Sequence, residues 1–341
     1  MNTMPLVRIH APNDIRIDQA ERPEAGAEDV LIRIERCGIC GSDLSYAKIG
    51  GIPGAVSPFA LGHEFSGVVE TVGAKVDCVV PGDRVLVNPM WGGNAIGASG
   101  VEGAFAPYVV YKNAVKHPEG LLKMPDDMDF DVGALVEPLS VGMHAANQSK
   151  IQAGDKVVVF GAGPVGLAAA IAARYRGASQ VAVVDLSAAR LTVASTLGME
   201  TFKADAGSLS GWLQEVHGTV HNNPILGPQP GTDVYIEATG VGSVFQQICE
   251  TARKGARVTV VGVHFAPVEL NMINFLMREL VITSACEYPE EFPQVMEMLS
   301  SGKVDVRPLI SHHFPLSQFN EAFAQAQRQS EAVKVLVDCQ S

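Results

Sequence analysis

The chain has 341 residues, of which 47% are hydrophobic, and its formal net charge is −12. This length predicts two domains, the lack of any apolar run of 18 residues predicts no membrane span, and an acidic chain without a basic stripe argues against nucleic acid as a partner. Residues 1–20 lack the apolar core of a signal peptide and the six cysteines are dispersed, so we expect reduced thiols and a cytoplasmic protein.

The first third of the chain has the pattern of a β-rich domain. Short apolar segments at residues 30–35, 67–72 and 84–87 are separated by Gly and Pro, and residues 88–103 are rich in small residues. Short strands with frequent turns predict an irregular β domain or small barrel, with a loop at residues 88–103.

The pattern changes after Glu137. We expect a helix that begins at Pro138 and runs to residue 147, because proline is tolerated at a helix start. From residue 156 onward, strands at 157–160, 181–184, 233–237 and 257–262 alternate with helices such as 167–176, and residues 217–231 form a surface excursion. This alternation predicts a doubly wound parallel sheet. Helices at 292–301 and 316–326 precede a closing strand at 333–337, which we expect to return to the first domain.

A glycine-rich turn between an apolar strand and a helix indicates a dinucleotide site. Gly161 permits the tight turn, Gly163 lets the backbone approach a pyrophosphate, and Gly166 allows close packing of helix on strand. The predicted turn is Gly161, Ala162, Gly163, Pro164, Val165 and Gly166. The alternative is a glycine turn in an α/β protein that binds no cofactor.

Asp185 ends the next strand and bears on the choice between NAD and NADP. Its carboxylate is placed to accept hydrogen bonds from the adenosine ribose. A carboxylate about 5 Å from a 2′-phosphate costs roughly 3 kcal/mol at an effective dielectric near 20. We therefore predict NAD, with Arg190 able to stack on the adenine.

Four side chains earlier in the chain have the ligand chemistry of a catalytic zinc. Cys40 offers a thiolate, His63 an imidazole, and Glu64 and Glu137 offer carboxylates. Taken alone, a histidine beside a glutamate is more often a structural polar pair. Cys37 precedes Cys40 in a Cys-x-x-Cys pattern, but no second pair recurs, so we interpret Cys37 as a buried apolar residue and predict no structural zinc.

The ordered motifs resemble those of the zinc-dependent medium-chain dehydrogenases, and most of all the sorbitol (polyol) dehydrogenase branch. Together with the segments Asp185-Leu-Ser-Ala-Ala-Arg-Leu191, Val304-Asp-Val-Arg-Pro-Leu309 and His313-Phe-Pro-Leu316, they span nearly the whole chain, and as a set they are highly specific. They are Gly38-Ile-Cys-Gly-Ser-Asp43, Gly62-His-Glu64, Pro81-Gly-Asp-Arg-Val85, Glu137-Pro-Leu-Ser-Val-Gly142 and Gly161-Ala-Gly-Pro-Val-Gly166. The resemblance implies an α/β chain with a GroES-like β-rich catalytic domain (residues 1–145), a Rossmann doubly wound parallel-sheet domain (146–288) and a C-terminal return to the catalytic domain (289–341).

The resemblance also implies roles for single residues. Cys40, His63 and Glu64 hold one catalytic zinc, and Glu137 binds it directly or through water. Ser42 relays the substrate proton, Tyr46 lines the substrate pocket, and Asp43 is an alternative second-sphere partner that orients a ligand. The residues that flank the nicotinamide are Val261, Gly262, Val263, Ala285 and Cys286. Glu287 stands where the polyol branch usually has an arginine that helps to hold the polyol, which argues against assuming sorbitol itself as substrate.

The expected function is hydride transfer between NAD and a secondary alcohol, vicinal diol or polyol, with a ketone product. The alternatives are a threonine 3-dehydrogenase-like or general alcohol dehydrogenase, and a cofactor-binding protein without turnover. The partner is a small-molecule alcohol, with neither nucleic acid nor membrane expected. The resemblance further implies a homodimer or homotetramer, in which an edge strand near residues 257–263 extends a sheet between subunits.

Overall fold

The structure is a computed structural model that describes residues 3–287 and 290–341. Its contacts divide the chain into two compact units. The first runs to Glu137 and resumes at Ile310–Arg328 and Lys334–Ser341, and the second comprises Pro138–Leu309 and Gln329–Val333.

The N-terminal part of the first unit is built mainly from strands, as its short apolar segments predict. The strands are β1 (Thr3–Ala11), β2 (Asp14–Glu21), β3 (Val30–Gly38), β4 (Phe59–Ala60), β5 (Glu64–Val72), β6 (Arg84–Val87), β7 (Tyr108–Tyr111) and β8 (Leu121–Lys123). Two helices accompany them, α1 (Gly41–Ile49) and α2 (Phe130–Ala134). The predicted loop at 88–103 contains only a short 3-10 turn, Trp91–Gly93.

The second unit alternates strands with helices. Its helices are α3 (Val136–Gln148, which crosses the division), α4 (Pro164–Tyr175), α5 (Ala188–Thr196), α6 (Leu209–His217), α7 (Gly242–Thr251), α8 (Met272–Arg278) and α9 (Phe292–Ser300). Its strands are β9 (Lys156–Phe160), β10 (Gln180–Asp185), β11 (Glu200–Lys203), β12 (Thr219–Val220), β13 (Gln229–Pro230), β14 (Val234–Glu237), β15 (Arg257–Val260) and β16 (Val281–Ser284).

Six of these strands form one parallel sheet in the order β11-β10-β9-β14-β15-β16. The order reverses direction beside β9, which is the arrangement of a doubly wound sheet, and this confirms the predicted fold class. Central strand residues such as Val158, Ala182 and Tyr235 are buried because helices cover the sheet.

The chain then returns to the first unit through β17 (Ile310–Pro315), α10 (Phe319–Gln327) and β18 (Lys334–Asp338). β18 pairs antiparallel with β3, so that Leu336 lies opposite Gly38. The main sheet of the first unit has the order β17-β18-β3-β5-β6-β8, and β7 also pairs with β3. The predicted return of the closing strand to the first domain is therefore confirmed.

Two predictions about single elements were wrong. The helix expected to begin at Pro138 begins at Val136, so that Pro138 is its third residue. Proline is tolerated there because the first four N–H groups of a helix have no intrahelical partner. The strand at residues 257–260 is interior, and the edge strand on that side of the sheet is β16. The surface excursion expected at 217–231 is largely exposed and contains the small β12–β13 hairpin. His217, at its start, is buried, and its Nδ1 pairs with the Thr232 hydroxyl.

The compact units also differ from the predicted domain limits. The boundary between the two units lies after Glu137 rather than after residue 145. Helix α9 belongs to the second unit and not to the C-terminal segment that returns to the first. The division falls within the continuous helix α3, at the position after Glu137 where the sequence pattern changes. The predicted limit at residue 288 lies outside the described residues.

Candidate metal and dinucleotide sites

The first candidate site lies where β3 ends and β5 begins. Gly38 and Glu64 are opposite one another in this antiparallel pair, so the residues that follow Gly38 lie beside the residues that precede β5. Gly62 turns the chain into β5 with a left-handed φ of 97°, and an added Cβ there would be 2.7 Å from the Phe105 nitrogen. This close backbone approach requires glycine.

The register brings three metal-ligating side chains together. Cys40 is the N-cap of α1, and its backbone N–H donates to Asp43 Oδ2 at 2.8 Å. One ligand atom from each of Cys40, His63 and Glu64 lies within 4.8 Å of the other two. A thiol, an imidazole and a carboxylate converging at this spacing are a donor set that suits zinc.

His63 lies between two polar side chains, those of Asp43 and Ser42. Its Nδ1 is 3.6 Å from Asp43 Oδ1, and its Nε2 is 3.5 Å from the Ser42 hydroxyl. Asp43 is fully buried, and its Oδ1 has no hydrogen-bond partner. The Asp43 carboxylate therefore faces one ring nitrogen of His63, which is the position of a second-sphere partner.

The electrostatics of this cluster favour a cation. Burial by itself lowers the pKa of His63, but the Asp43 charge and a hydrogen bond with Cys40 outweigh it and raise the pKa well above its usual value. A partly buried imidazole whose pKa is raised in this way lies among negative groups. The residues present therefore fit a divalent metal ion.

Lys334 is a member of this site that the sequence reasoning missed. Its Nζ donates to Glu64 Oε1 at 2.7 Å, to Glu64 Oε2 at 2.5 Å and to the Ile39 carbonyl at 3.1 Å. Burial by itself lowers the pKa of Lys334, and the Glu64 and Cys40 charges outweigh it and raise the pKa. One signal was available, namely a single lysine within the apolar run 333–337.

The other predicted residues of this site lie in the same unit. Glu137 is buried on the first turn of α3, and its charge acts on both His63 and Lys334, although it lies outside the 4.8 Å group. Tyr46 is partly exposed on α1, and its ring meets Phe59 edge-on at 5.5 Å between centroids.

The second candidate site is the glycine turn after β9. Gly161 has a φ of 103°, and Gly163 is the N-cap of α4 with Pro164 at the first helical position. An added Cβ on Gly166 would be 1.8 Å from the Gly161 carbonyl oxygen, whereas one on Gly163 would meet nothing closer than 3.7 Å. The turn thus presents unpaired N–H groups at the amino end of α4, where a pyrophosphate is stabilised.

Asp185 and Arg190 lie beside this turn. Asp185 accepts hydrogen bonds from the backbone of Ala162 at 2.6 Å and of Ser187 at 2.7 Å. Arg190 donates from Nε to the Ala332 carbonyl at 3.0 Å, and its Nη1 approaches the position of a Cβ on Gly163. Both side chains are therefore fixed by backbone contacts next to the glycine turn.

The residues expected around the nicotinamide follow the neighbouring strands. Val261 and Gly262 donate their N–H groups to the Glu237 carbonyl, and Ala285 donates to the Val260 carbonyl. Val263 and Cys286 are exposed. In a parallel sheet these positions share the carboxyl edge with the glycine turn, which is where such sheets bind ligands.

Glu237, at the same edge, was also missed by the sequence reasoning. It is fully buried, accepts from the backbone of Thr239 and Gly240, and pairs with His264 Nε2 at 2.8 Å. These contacts join the loop after β14 to the loop after β15. No local pattern connects residues that lie 27 positions apart.

Two family models match the chain. The model described as alcohol dehydrogenase GroES-like domain covers residues 26–126, and the model described as zinc-binding dehydrogenase covers residues 164–301. The chain is also 35% identical to the sorbitol dehydrogenase of Mus musculus, over 97% of this chain and 94% of that protein. It is a zinc-dependent medium-chain dehydrogenase.

Solved structures agree with this membership. The 2R,3R-butanediol dehydrogenase of Bacillus subtilis superposes with a TM-score of 0.86 at 30% identity, over 98% of this dehydrogenase and 99% of that chain. A zinc-binding dehydrogenase of Sinorhizobium meliloti 1021, described as putative and bound to NADP, gives a TM-score of 0.84 at 27% identity, over 99% and 100% of the two chains.

This dehydrogenase therefore belongs with the sorbitol dehydrogenase-like members of the family. It is an oxidoreductase of alcohols that uses zinc and a nicotinamide dinucleotide. None of the helices in the described parts of the chain combines the length and apolarity that crossing a bilayer requires.

Proposed function

We propose that this dehydrogenase transfers hydride between NAD and a vicinal diol or polyol, with a ketone as the oxidised product. The observation that carries the proposal is the convergence of Cys40, His63 and Glu64 within 4.8 Å, in a chain that also has the glycine turn of a dinucleotide site. The three side chains would hold a metal ion that binds the alcohol oxygen, and the glycine turn would hold the dinucleotide that accepts the hydride.

The chain's own residues have separate roles in this scheme. Cys40 and His63 hold one zinc ion together with a carboxylate from Glu64 or Glu137. Bound zinc supplies a Lewis acid that polarises the substrate oxygen and acidifies its hydroxyl proton. Ser42, whose hydroxyl lies beside the His63 ring, takes that proton and passes it on. Asp43 fixes the direction of the imidazole.

We propose NAD rather than NADP because of Asp185. Its carboxylate ends β10 and lies beside the glycine turn, where it suits a ribose 2′-hydroxyl and repels a 2′-phosphate. Gly161, Gly163, Pro164, Val165 and Gly166 form the phosphate-binding turn, and Arg190 packs on the adenine. The S. meliloti neighbour is bound to NADP, so a comparison of kcat/KM for NAD⁺ and NADP⁺ tests this preference.

The proposed substrate class rests on the relatives and on two side chains. Sorbitol and butanediol, named in the two most similar relatives described above, both carry adjacent hydroxyl groups. Tyr46 is the proposed wall of the substrate pocket. Glu287, exposed with a left-handed φ of 58°, provides a carboxylate where the polyol branch usually has an arginine. We therefore favour a small vicinal diol over sorbitol.

The deciding experiment is a panel of substrates in which turnover is measured by the absorbance of the reduced cofactor. Butane-2,3-diol stereoisomers, sorbitol, a cyclic secondary alcohol and threonine are each offered with NAD⁺ and with NADP⁺, before and after chelation. Diol oxidation with NAD⁺ that is lost on chelation and restored by zinc is the expected result. Equal turnover after complete zinc removal would contradict the proposal.

We also propose that the dehydrogenase forms a homodimer through the edge of its parallel sheet. β16 is the edge strand, it exposes Val281, and the nearby helix α8 exposes Met272, Ile273 and Leu276. An unpaired strand edge with apolar neighbours suits a second copy of the same strand, antiparallel about a two-fold axis. Val281→Lys should shift the mass in light scattering from dimer to monomer, and an unchanged mass would exclude this interface.

Finally, we propose a cytoplasmic location. All six cysteines are free thiols. Reducing compartments keep thiols in this state.

A further inference from the structure

The Lys334–Glu64 pair is an ion pair in the interior of the first unit. Lys334 is 1% exposed and Glu64 is 0% exposed. The lysine ammonium has three N–H donors, and the structure gives it three acceptors, namely both Glu64 oxygens and the Ile39 carbonyl. The pair is therefore fully hydrogen-bonded without help from solvent.

The surrounding backbone is shaped to accommodate this pair. β18 and β3 are antiparallel neighbours, which brings Lys334 past Gly38 to the Ile39 carbonyl. A Cβ on Gly38 would be 2.2 Å from Glu64 Oε2 and 3.3 Å from Lys334 Cδ. Glycine at this position leaves the space that the carboxylate occupies.

The Lys334–Glu64 pair lies at the candidate metal site. Glu64 belongs to the group of ligand atoms within 4.8 Å, and Cys40, Asp43 and Glu137 add further acidic groups to the same unit. Buried acids that face one another are costly unless a positive charge lies among them. In protein that has no metal bound, Lys334 supplies that charge at Glu64.

We propose that Lys334 is the built-in counter-charge of the metal cluster. It is a positioning residue that holds Glu64 in place when no metal is bound, and it lowers the affinity of the cluster for zinc because a fixed ammonium repels a dication and shares the carboxylate. This inference rests on the proposed function only in taking Cys40, His63 and Glu64 as the metal site.

The test is zinc affinity, measured by competition with a chromophoric chelator on the purified full chain. Lys334→Met removes the charge and keeps an unbranched side chain, and Lys334→Arg is the matched control that retains the charge. We expect Lys334→Met to bind zinc at least about tenfold more tightly than the unmodified chain, and Lys334→Arg to stay within about threefold. A merely structural lysine would give the opposite, because damage to the fold weakens zinc binding.

Thermal unfolding provides the second readout. By linkage, tighter zinc binding requires zinc to stabilise the Lys334→Met variant more than it stabilises the unmodified chain. We expect the melting temperature of the metal-free variant to fall and added zinc to recover most of the difference. Unchanged or weaker zinc affinity in Lys334→Met would overturn the proposal.

A double variant keeps the proposal testable if Lys334→Met does not fold without metal. Glu64→Gln combined with Lys334→Met is compared with Glu64→Gln alone, and the double variant should bind zinc at least about tenfold more tightly, because it lacks the ammonium that repels the dication. A double variant that binds zinc no more tightly than Glu64→Gln alone would overturn the counter-charge role. If the unmodified chain binds no zinc at all, the proposed function fails instead, and the chelator titration shows which of the two has failed.

Discussion

Replacing each of two glycines of the proposed phosphate-binding turn by alanine should have different effects. A Cβ on Gly166 would lie 1.8 Å from the Gly161 carbonyl oxygen, whereas a Cβ on Gly163 has no neighbour within 3.7 Å. Gly166→Ala therefore forces α4 away from β9. Gly163→Ala leaves the fold undisturbed but places a methyl group where the pyrophosphate approaches.

The geometry sets the size of each effect. Carbon and oxygen that are not bonded need more than 3 Å, so Gly166→Ala must move backbone by more than 1 Å, since no flexible side chain can yield. Overpacking of this kind costs about 3 kcal/mol, at the upper end of the usual range. For a unit of this size that corresponds to a fall of roughly 6–12 °C in melting temperature. Gly163→Ala should leave the melting temperature unchanged and weaken NADH binding by about tenfold or more, which is at least about 1.4 kcal/mol.

Calorimetry of the metal-loaded protein measures the first effect, and a titration of NADH fluorescence measures the second. Gly154→Ala provides no useful control because its φ of 94° would add strain, so the two variants serve as controls for each other. A melting temperature of Gly166→Ala equal to that of the unmodified chain would contradict the predicted clash. The phosphate-binding role fails if Gly163→Ala binds NADH with unchanged affinity.

Three further outcomes are expected. Burial lowers the pKa of His217 to about 4, below its value of 6.5 in the unfolded chain. The unfolded state therefore takes up the proton first, and the free energy of unfolding should fall by about 3 kcal/mol as the pH drops from 7 to below 4. Urea titrations of the unmodified chain and of His217→Asn at several pH values measure this, and a stability difference between the two that does not change with pH would show that His217 has no effect. Gly38→Ala should lower the free energy of unfolding by about 1–3 kcal/mol through its clash with Glu64, while Gly41→Ala, which meets nothing within 4 Å, should not; equal losses in chemical denaturation would count against the clash. Asp185→Ser should raise the ratio of kcat/KM for NADP⁺ to that for NAD⁺ by about a hundredfold, and a ratio that does not move would remove Asp185 from cofactor selection.

The fold was largely predictable because its signals are local. The apolar run of β9, the glycine turn and the helix after it form one continuous segment, so strand, turn and helix could each be recognised from neighbouring residues. The same holds for the alternation that follows, from β10 onward. Element limits were less predictable, as α3 shows, since nothing in the sequence distinguishes proline at the first position of a helix from proline at the third.

The sheet edge shows where local reasoning stops. Strand order depends on which strands pair, and residues 257–260 have the same apolar composition whether they lie inside a sheet or at its edge. The structure places β16 outside them, and the exposed face of α8 lies near that edge. The proposed subunit interface is therefore at β16 and not at residues 257–263.

The sequence by itself determined the donor chemistry of this dehydrogenase: one thiol, one imidazole and carboxylates in ordered motifs, together with a glycine turn that suits a pyrophosphate. Only the tertiary structure decided the electrostatic setting of those donors. Lys334 reaches Glu64 across 270 positions of sequence, and it does so because β18 returns to pair with β3. Charge–charge interactions depend on distance and on burial, and neither quantity exists until non-local strands have paired.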